Sequence, residues 1–119
     1  MKFEFTTASR ILFGPGSSGE ILRTVSSLGH SLFLVTGQNR DRQASLVNKL
    51  KETGIAVTPF GVQGEPTVES IYNAASLARF SRCNVVLGIG GGSVIDTAKA
   101  VAAMITNEGN LFEYLEVIG

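Results

Sequence analysis

The sequence predicts an α/β fold, a Rossmann-like parallel sheet with helices on both faces and short edge strands at the N-terminus. Apolar segments of strand length alternate with segments of ten or more residues whose apolar side chains recur at helical spacing. Several strand segments are apolar throughout, as in parallel strands buried on both faces. A run of three glycines, 90–92, joins one such segment to the most regular helical pattern. Together these observations indicate right-handed βαβ units.

The N-terminal half opens with two short strand signals. Residues 3–6 alternate apolar and polar side chains, and residues 10–13 form a short, mainly apolar segment. Residues 17–28 and 41–53 are expected to form helices, because apolar side chains recur on one face and a glycine follows each segment. Between them, residues 31–36 predict a buried strand.

The C-terminal half continues the alternation. Strands are expected at residues 55–60 and 84–88. A helix over residues 67–80, with Thr67 as its N-cap, is expected to bury Val68, Ile71, Tyr72, Ala75 and Ala78. The next helix carries the clearest apolar stripe, formed by Val94, Ile95, Ala98, Val101, Ala102 and Ile105. A short final helix is expected at residues 111–117.

Composition limits the function classes. The net charge is zero, which predicts no general attraction to nucleic acid or to membranes. The single cysteine, Cys83, excludes an intrachain disulfide and favours a cytoplasmic location. Cys83 is expected to be a packing residue, and the single histidine, His30, to be solvated. With so few ligand side chains, the sequence predicts no metal site and no catalytic residue.

The glycine run predicts a phosphate site. An apolar strand leads into Gly90, Gly91, Gly92 and Ser93, and a helix follows at once. Glycines let the backbone approach an anion, and a helix N-terminus offers free N–H groups and a positive dipole end. A capping box, with Ser93 as N-cap and Asp96 three residues later, is a compatible structural explanation.

Two other loops resemble functional motifs. Residues 14–19 spell G-x-G-x-x-G between a strand and a helix, as in dinucleotide-binding folds. That motif requires an acidic residue after the next strand, where Gly37 stands instead, so we interpret residues 14–19 as a tight turn and helix start. Residues 64–67 form a helix-start loop at the carboxyl end of a strand, a position that would allow a minor ligand contact.

The whole chain resembles the N-terminal cofactor-binding domain of iron-containing (group III) alcohol dehydrogenases. The most specific part of the resemblance is residues 88–100, G-I-G-G-G-S-V-I-D-T-A-K-A. Its other parts are residues 5–7, 10–16, 35–37, 64–69 and 110–115.

The resemblance implies that residues 1–119 form a dinucleotide-binding domain for NADP or NAD. Gly91, Gly92, Ser93 and Asp96 would lie on the pyrophosphate side, and Gly37 at the adenosine ribose. A following helical domain, absent here, supplies an Asp and three His that hold Fe²⁺ or Zn²⁺. In the full-length enzyme that metal polarises a small alcohol or aldehyde during hydride transfer. This chain alone is therefore expected to be inactive.

The resemblance also favours NADP over NAD. Family members that prefer NAD carry Asp where this sequence has Gly37, and that carboxylate would repel a 2′-phosphate. Gln38 and Asn39 offer amide donors, and Arg40 and Arg42 offer guanidinium groups suited to a phosphate.

Two alternative functions remain open at this point, a non-catalytic nucleotide-binding module and a maleylacetate reductase-like oxidoreductase. A helical region with three histidines downstream of Gly119 would favour the enzyme over the module. The exposed N-terminal edge strand favours a homodimer formed by strand pairing.

Overall fold

The computed structural model describes residues 9–12, 18–38, 40–107 and 113–118. The predicted strand at residues 3–6 lies outside these ranges. Within them, no helix is both long and apolar enough to cross a membrane. The elements follow one another as β1 (Ser9–Leu12), α1 (Ser18–Leu28), β2 (Ser31–Thr36), a 3-10 helix (Arg40–Gln43), α2 (Ala44–Glu52), β3 (Ala56–Gly61), α3 (Val68–Phe80), β4 (Val85–Gly90), α4 (Gly92–Asn107) and β5 (Glu113–Ile118).

The sheet has five parallel strands in the order β1-β5-β4-β2-β3. The chain moves from β1 to β2 and β3 in one direction, and from β3 to β4 and β5 in the opposite direction. Because crossovers share one handedness, connections that run in opposite directions lie on opposite faces of the sheet. The predicted α/β class is confirmed. The short strand predicted at residues 10–13 is β1, which lies at one edge of the described sheet.

Two apolar layers enclose the sheet. On one face, alternate residues of β2 and β4 pack against α1 and α2; this cluster comprises Ile21, Val25, Leu32, Leu34, Leu46, Leu50, Ile55, Val85 and Leu87. On the other face, Phe33, Val35 and Val86 pack against α3 and α4. Strands buried on both faces explain why residues 31–36 read as an apolar run. Cys83 packs against the second cluster as predicted, and His30 is exposed.

The final helix predicted at residues 111–117 is wrong, because residues 113–118 form β5. This strand lies between β1 and β4, and Tyr114 pairs with Ser9 on one side and Val86 on the other. Neighbours on both sides satisfy the backbone groups of β5, a gain that local spacing cannot reveal. Its aromatic and β-branched residues also suit a strand.

The buried face predicted for α3 is wrong in part. Val68 is 74% exposed and Tyr72 is 56% exposed, whereas the buried residues are Ala74, Ala75 and Ala78. The small side chains let α3 lie close to the sheet and α4, and Ala98 of α4 belongs to the same cluster. Thr67 caps α3 as predicted: its hydroxyl accepts from the Ser70 N–H (3.0 Å), and the Thr67 N–H donates to the Ser70 hydroxyl (2.8 Å).

Candidate nucleotide-binding site

The carboxyl ends of β2 and β4 lie side by side, with Thr36 paired to Ile89. From β2 the chain continues to α2 on one face of the sheet, and from β4 it continues to α4 on the other. In open parallel sheets, ligands bind in the crevice that opens where neighbouring connections diverge in this way. The loop after Thr36 and the turn before Gly92 form the two sides of this crevice.

At the junction of β4 and α4, packing requires glycine at two positions. A Cβ on Gly88 would lie 2.9 Å from the Ala98 Cβ, and one on Gly90 would lie 2.9 Å from a Val94 methyl carbon. Gly90 also has a φ of +155°, which disfavours other residues. These glycines let α4 lie directly against the end of β4. The predicted cofactor residue Gly90 thus has a structural role in any case.

Packing does not require glycine at positions 91 and 92. No other part of the described chain lies within 4 Å of a Cβ built on either residue, and neither has a positive φ. The Gly91 carbonyl accepts the Ile95 N–H at 3.0 Å, so α4 begins at Gly92. Within the described residues the N–H groups of Gly92 and Ser93 donate no hydrogen bond. The turn therefore presents free donors beside open space, which suits an anion.

The capping box considered for Ser93 and Asp96 is wrong, because Ser93 lies inside the first turn of α4 and not at its N-cap. The Gly91 backbone closes the first helical hydrogen bond instead. Asp96 is exposed and lines a groove of about 380 Å³ between α3 and α4, whose other residues are Pro66, Thr67, Val68, Ile71, Tyr72, Ala100 and Met104. Neither Gly91 nor Gly92 lines this groove, so a pyrophosphate contact by Asp96 stays a prediction.

The loop after β2 forms the other side of the crevice. Thr36 is buried, and its hydroxyl donates to the Gly37 carbonyl at 3.1 Å. A Cβ on Gly37 would meet no other part of the described chain within 4 Å. Gln38 is tied down, because its Nε2 donates to the Val62 carbonyl at 3.3 Å. Asn39 lies outside the described residues.

The rival motif at residues 14–19 lies largely outside the described residues, and only its last two positions are seen, at the start of α1. A Cβ on Gly19 would make an ordinary contact of 3.5 Å with a nitrogen of the Arg23 guanidinium. The interpretation of the motif as a turn therefore stays a prediction.

Sequence reasoning missed a cavity of about 240 Å³ at the carboxyl end of β3. Phe60, Val62 and Pro66 supply apolar wall, while Ser70 of α3 and the buried Thr97 of α4 contribute hydroxyl groups. The Thr97 hydroxyl donates to the Ser93 carbonyl at 2.8 Å, which links the cavity to the first turn of α4. The only sequence signal was the helix-start loop at residues 64–67.

Comparison with known proteins identifies the family. The chain belongs to the iron-containing alcohol dehydrogenase family, whose model matches residues 8–118. It is 31% identical to sulfoacetaldehyde reductase from Bilophila wadsworthia, over 98% of this chain and 32% of that protein. It is also similar to the crystal structure of an archaeal halo-thermophilic Red Sea brine pool alcohol dehydrogenase (30% identity, TM-score 0.69, 86% of this chain and 27% of the other).

A further solved structure, sulfoacetaldehyde reductase from Bifidobacterium kashiwanohense in complex with NAD⁺, shares 27% identity with a TM-score of 0.64, over 86% of this chain and 28% of the other. The resemblance seen in the sequence is thereby confirmed. The chain spans about a third of the length of its curated relatives.

The family name implies iron, which the described residues do not fit. Among them, no three His, Cys, Asp or Glu side chains come together in a way that could hold a metal ion. A dinucleotide fits better, because Gly91 and Gly92 leave open space beside free N–H groups. The crevice between β2 and β4 is therefore the candidate site.

Proposed function

We propose that this chain is the dinucleotide-binding domain of a metal-dependent alcohol dehydrogenase. The observation that carries the proposal is a difference among the glycines at the junction of β4 and α4. Packing requires glycine at positions 88 and 90, whereas a Cβ at Gly91 or Gly92 would face open space. Relatives whose names state NADH dependence, such as butanol dehydrogenase A of Clostridium acetobutylicum, support a nicotinamide cofactor.

In this proposal the free N–H groups of Gly92 and Ser93 and the positive end of α4 hold the pyrophosphate. The loop at Gly37 receives the adenosine ribose. A bound nicotinamide would exchange a hydride with a small alcohol or aldehyde. The metal ligands would come from residues beyond those described, so the 119-residue chain alone should produce no NADH or NADPH from alcohols. A non-catalytic nucleotide-binding module remains the alternative, and a maleylacetate reductase-like enzyme would use the same domain.

The glycine turn is tested by Gly92→Val. A Cβ at this position meets no other part of the described chain within 4 Å, so the free energy of unfolding should change by less than about 0.5 kcal/mol. The branched side chain would fill the space that the pyrophosphate needs, and affinity for NADH and NADPH should fall at least about tenfold. Isothermal titration calorimetry and urea denaturation measure the two effects.

Gly19→Val is the matched control, because Gly19 also lies in the first turn of a helix and belongs to the rival glycine motif. This variant should bind both cofactors as the wild type does. Loss of affinity in Gly19→Val with normal affinity in Gly92→Val would move the pyrophosphate site to α1.

We further propose a preference for NADP over NAD. Gly37 has open space around it and brings no negative charge to the ribose loop. In Gly37→Asp the new carboxylate should repel the 2′-phosphate and accept hydrogen bonds from the ribose hydroxyls of NAD. The ratio of NADP to NAD affinity should fall at least about tenfold in calorimetry. Equal binding of both cofactors by the wild type, or an unchanged ratio in the variant, would contradict the preference.

A homodimer and a cytoplasmic location complete the proposal. The homodimer rests on the predicted edge strand at residues 3–6, and the location on the single cysteine. Sedimentation equilibrium tests the first, since a monomer at all concentrations contradicts it.

A further inference from the structure

Gln38 links the ends of two neighbouring strands. It follows β2, and its Nε2 donates a hydrogen bond of 3.3 Å to the carbonyl oxygen of Val62, the residue after β3. The Val62 N–H donates a hydrogen bond of 2.8 Å to the Thr36 carbonyl, so a backbone bond and a side-chain bond join the same two segments. Gly37 lies between these attachment points and has no side chain that could anchor it.

The Thr36 hydroxyl holds the opposite end of this turn, donating to the Gly37 carbonyl at 3.1 Å. Side-chain bonds from both neighbours therefore define the conformation of Gly37. A turn fixed before binding loses less conformational entropy when a ligand arrives. The sequence alone indicated that the Gln38 amide would face the cofactor, but the structure shows that it reaches the neighbouring strand end.

We infer that Gln38 is a positioning residue, which fixes the ribose-facing turn against the end of β3 and acts on cofactor binding through Gly37. This inference rests on the proposed dinucleotide site. It separates two tasks within the loop: Gly37 leaves room for the ribose, and Gln38 keeps that room in place. The glycine turn at Gly91 and Gly92 is a separate attachment and should not depend on Gln38.

Gln38→Met tests the inference, because methionine has a similar length and no hydrogen-bond donor. In the free protein, amide hydrogen exchange at Val62, whose N–H donates to the Thr36 carbonyl, should accelerate about three- to tenfold, the effect of losing one hydrogen bond. Affinity for NADPH and NADH should fall by a similar factor. Affinity for inorganic pyrophosphate, measured by NMR titration, should stay the same.

Gln63→Met is the matched control, because Gln63 is exposed in the next loop and its side chain makes no hydrogen bond within the described residues. It should change none of these quantities. Gln38→Glu adds a pH test: the ionised carboxyl cannot donate at pH 7, but protonation near pH 4 restores a donor. Because acid slows amide exchange in every variant, rates are compared with the wild type at the same pH. At pH 4 exchange at Val62 should match the wild type in Gln38→Glu and stay faster than the wild type in Gln38→Met.

Three outcomes separate the explanations. Weaker dinucleotide binding by Gln38→Met with unchanged exchange in the free protein would mean that Gln38 contacts the cofactor directly, which overturns the inference. Unchanged exchange and unchanged affinity would overturn it as well. Failure of the wild type to bind either dinucleotide would instead refute the proposed function, and the exchange data would still decide whether Gln38 fixes the turn.

Discussion

Four glycines in one short segment serve different physical purposes. Gly88 and Gly90 are glycine because α4 leaves no space for a Cβ, and Gly90 has a positive φ as well. Gly91 and Gly92 have space for a Cβ and ordinary backbone angles. The sequence predicts that the whole run approaches a phosphate, but only the packed structure separates the structural residues from those free for a ligand.

This division gives a stability prediction. Gly90→Ala would place a Cβ 2.9 Å from a Val94 methyl carbon at a φ of +155°, so unfolding should become easier by about 1–3 kcal/mol. Gly91→Ala, one residue on, should change the free energy of unfolding by less than about 0.5 kcal/mol. Urea denaturation measures both. Equal effects of the two substitutions would contradict the division.

Among the elements, α3 begins with a complete local signal. Thr67 and Ser70 exchange two hydrogen bonds at its N-terminus, and both residues can be read from the sequence. The buried face of α3 could not be read in the same way, because large apolar residues such as Val68 are exposed and alanines are buried. Close helix packing selects small residues, which a hydropathy pattern ranks too low.

Removing the cap of α3 should cost stability. Thr67→Ala leaves N-terminal N–H groups without a partner and should lower the free energy of unfolding by about 1 kcal/mol. Thr24→Ala is the control, because the Thr24 hydroxyl only bonds to the Glu20 carbonyl within α1 and alanine favours a helix. Thermal and urea unfolding should show a loss of stability in Thr67→Ala and none in Thr24→Ala. Similar losses in the two variants would argue against a capping role.

For the whole molecule, both apolar layers include residues of β2, the strand between β4 and β3. The Phe33 side chain is 0% exposed, and its ring centroid lies 5.8 Å from that of Phe60. Phe33→Ala should lower the free energy of unfolding by about 3–5 kcal/mol through lost burial and the cavity left behind. The control is Phe80→Ala, since Phe80 is 87% exposed and should contribute little. Urea denaturation at low temperature measures the free energy of unfolding of both variants. A small loss for Phe33→Ala would contradict this role of β2.

Strand order determines where the crevice lies. The crevice exists because β2 and β4 are neighbours while their connections lead to opposite faces. It brings together Gly37 and Gly91, which are far apart in the chain, but not Asp96, which lines the groove between α3 and α4. The sequence predicted both loops at strand carboxyl ends, yet it held no information on which strands would be adjacent.

The α/β class, the glycine turn and most helix and strand positions could be predicted from the sequence, because they follow from local hydrophobic periodicity and turn chemistry. The remaining features depend on tertiary contacts. Residues 113–118 are a strand because β1 and β4 both pair with them. Gln38 reaches Val62 because β3 lies beside β2. In each case the deciding energy comes from contacts between residues distant in the chain, which no local pattern records.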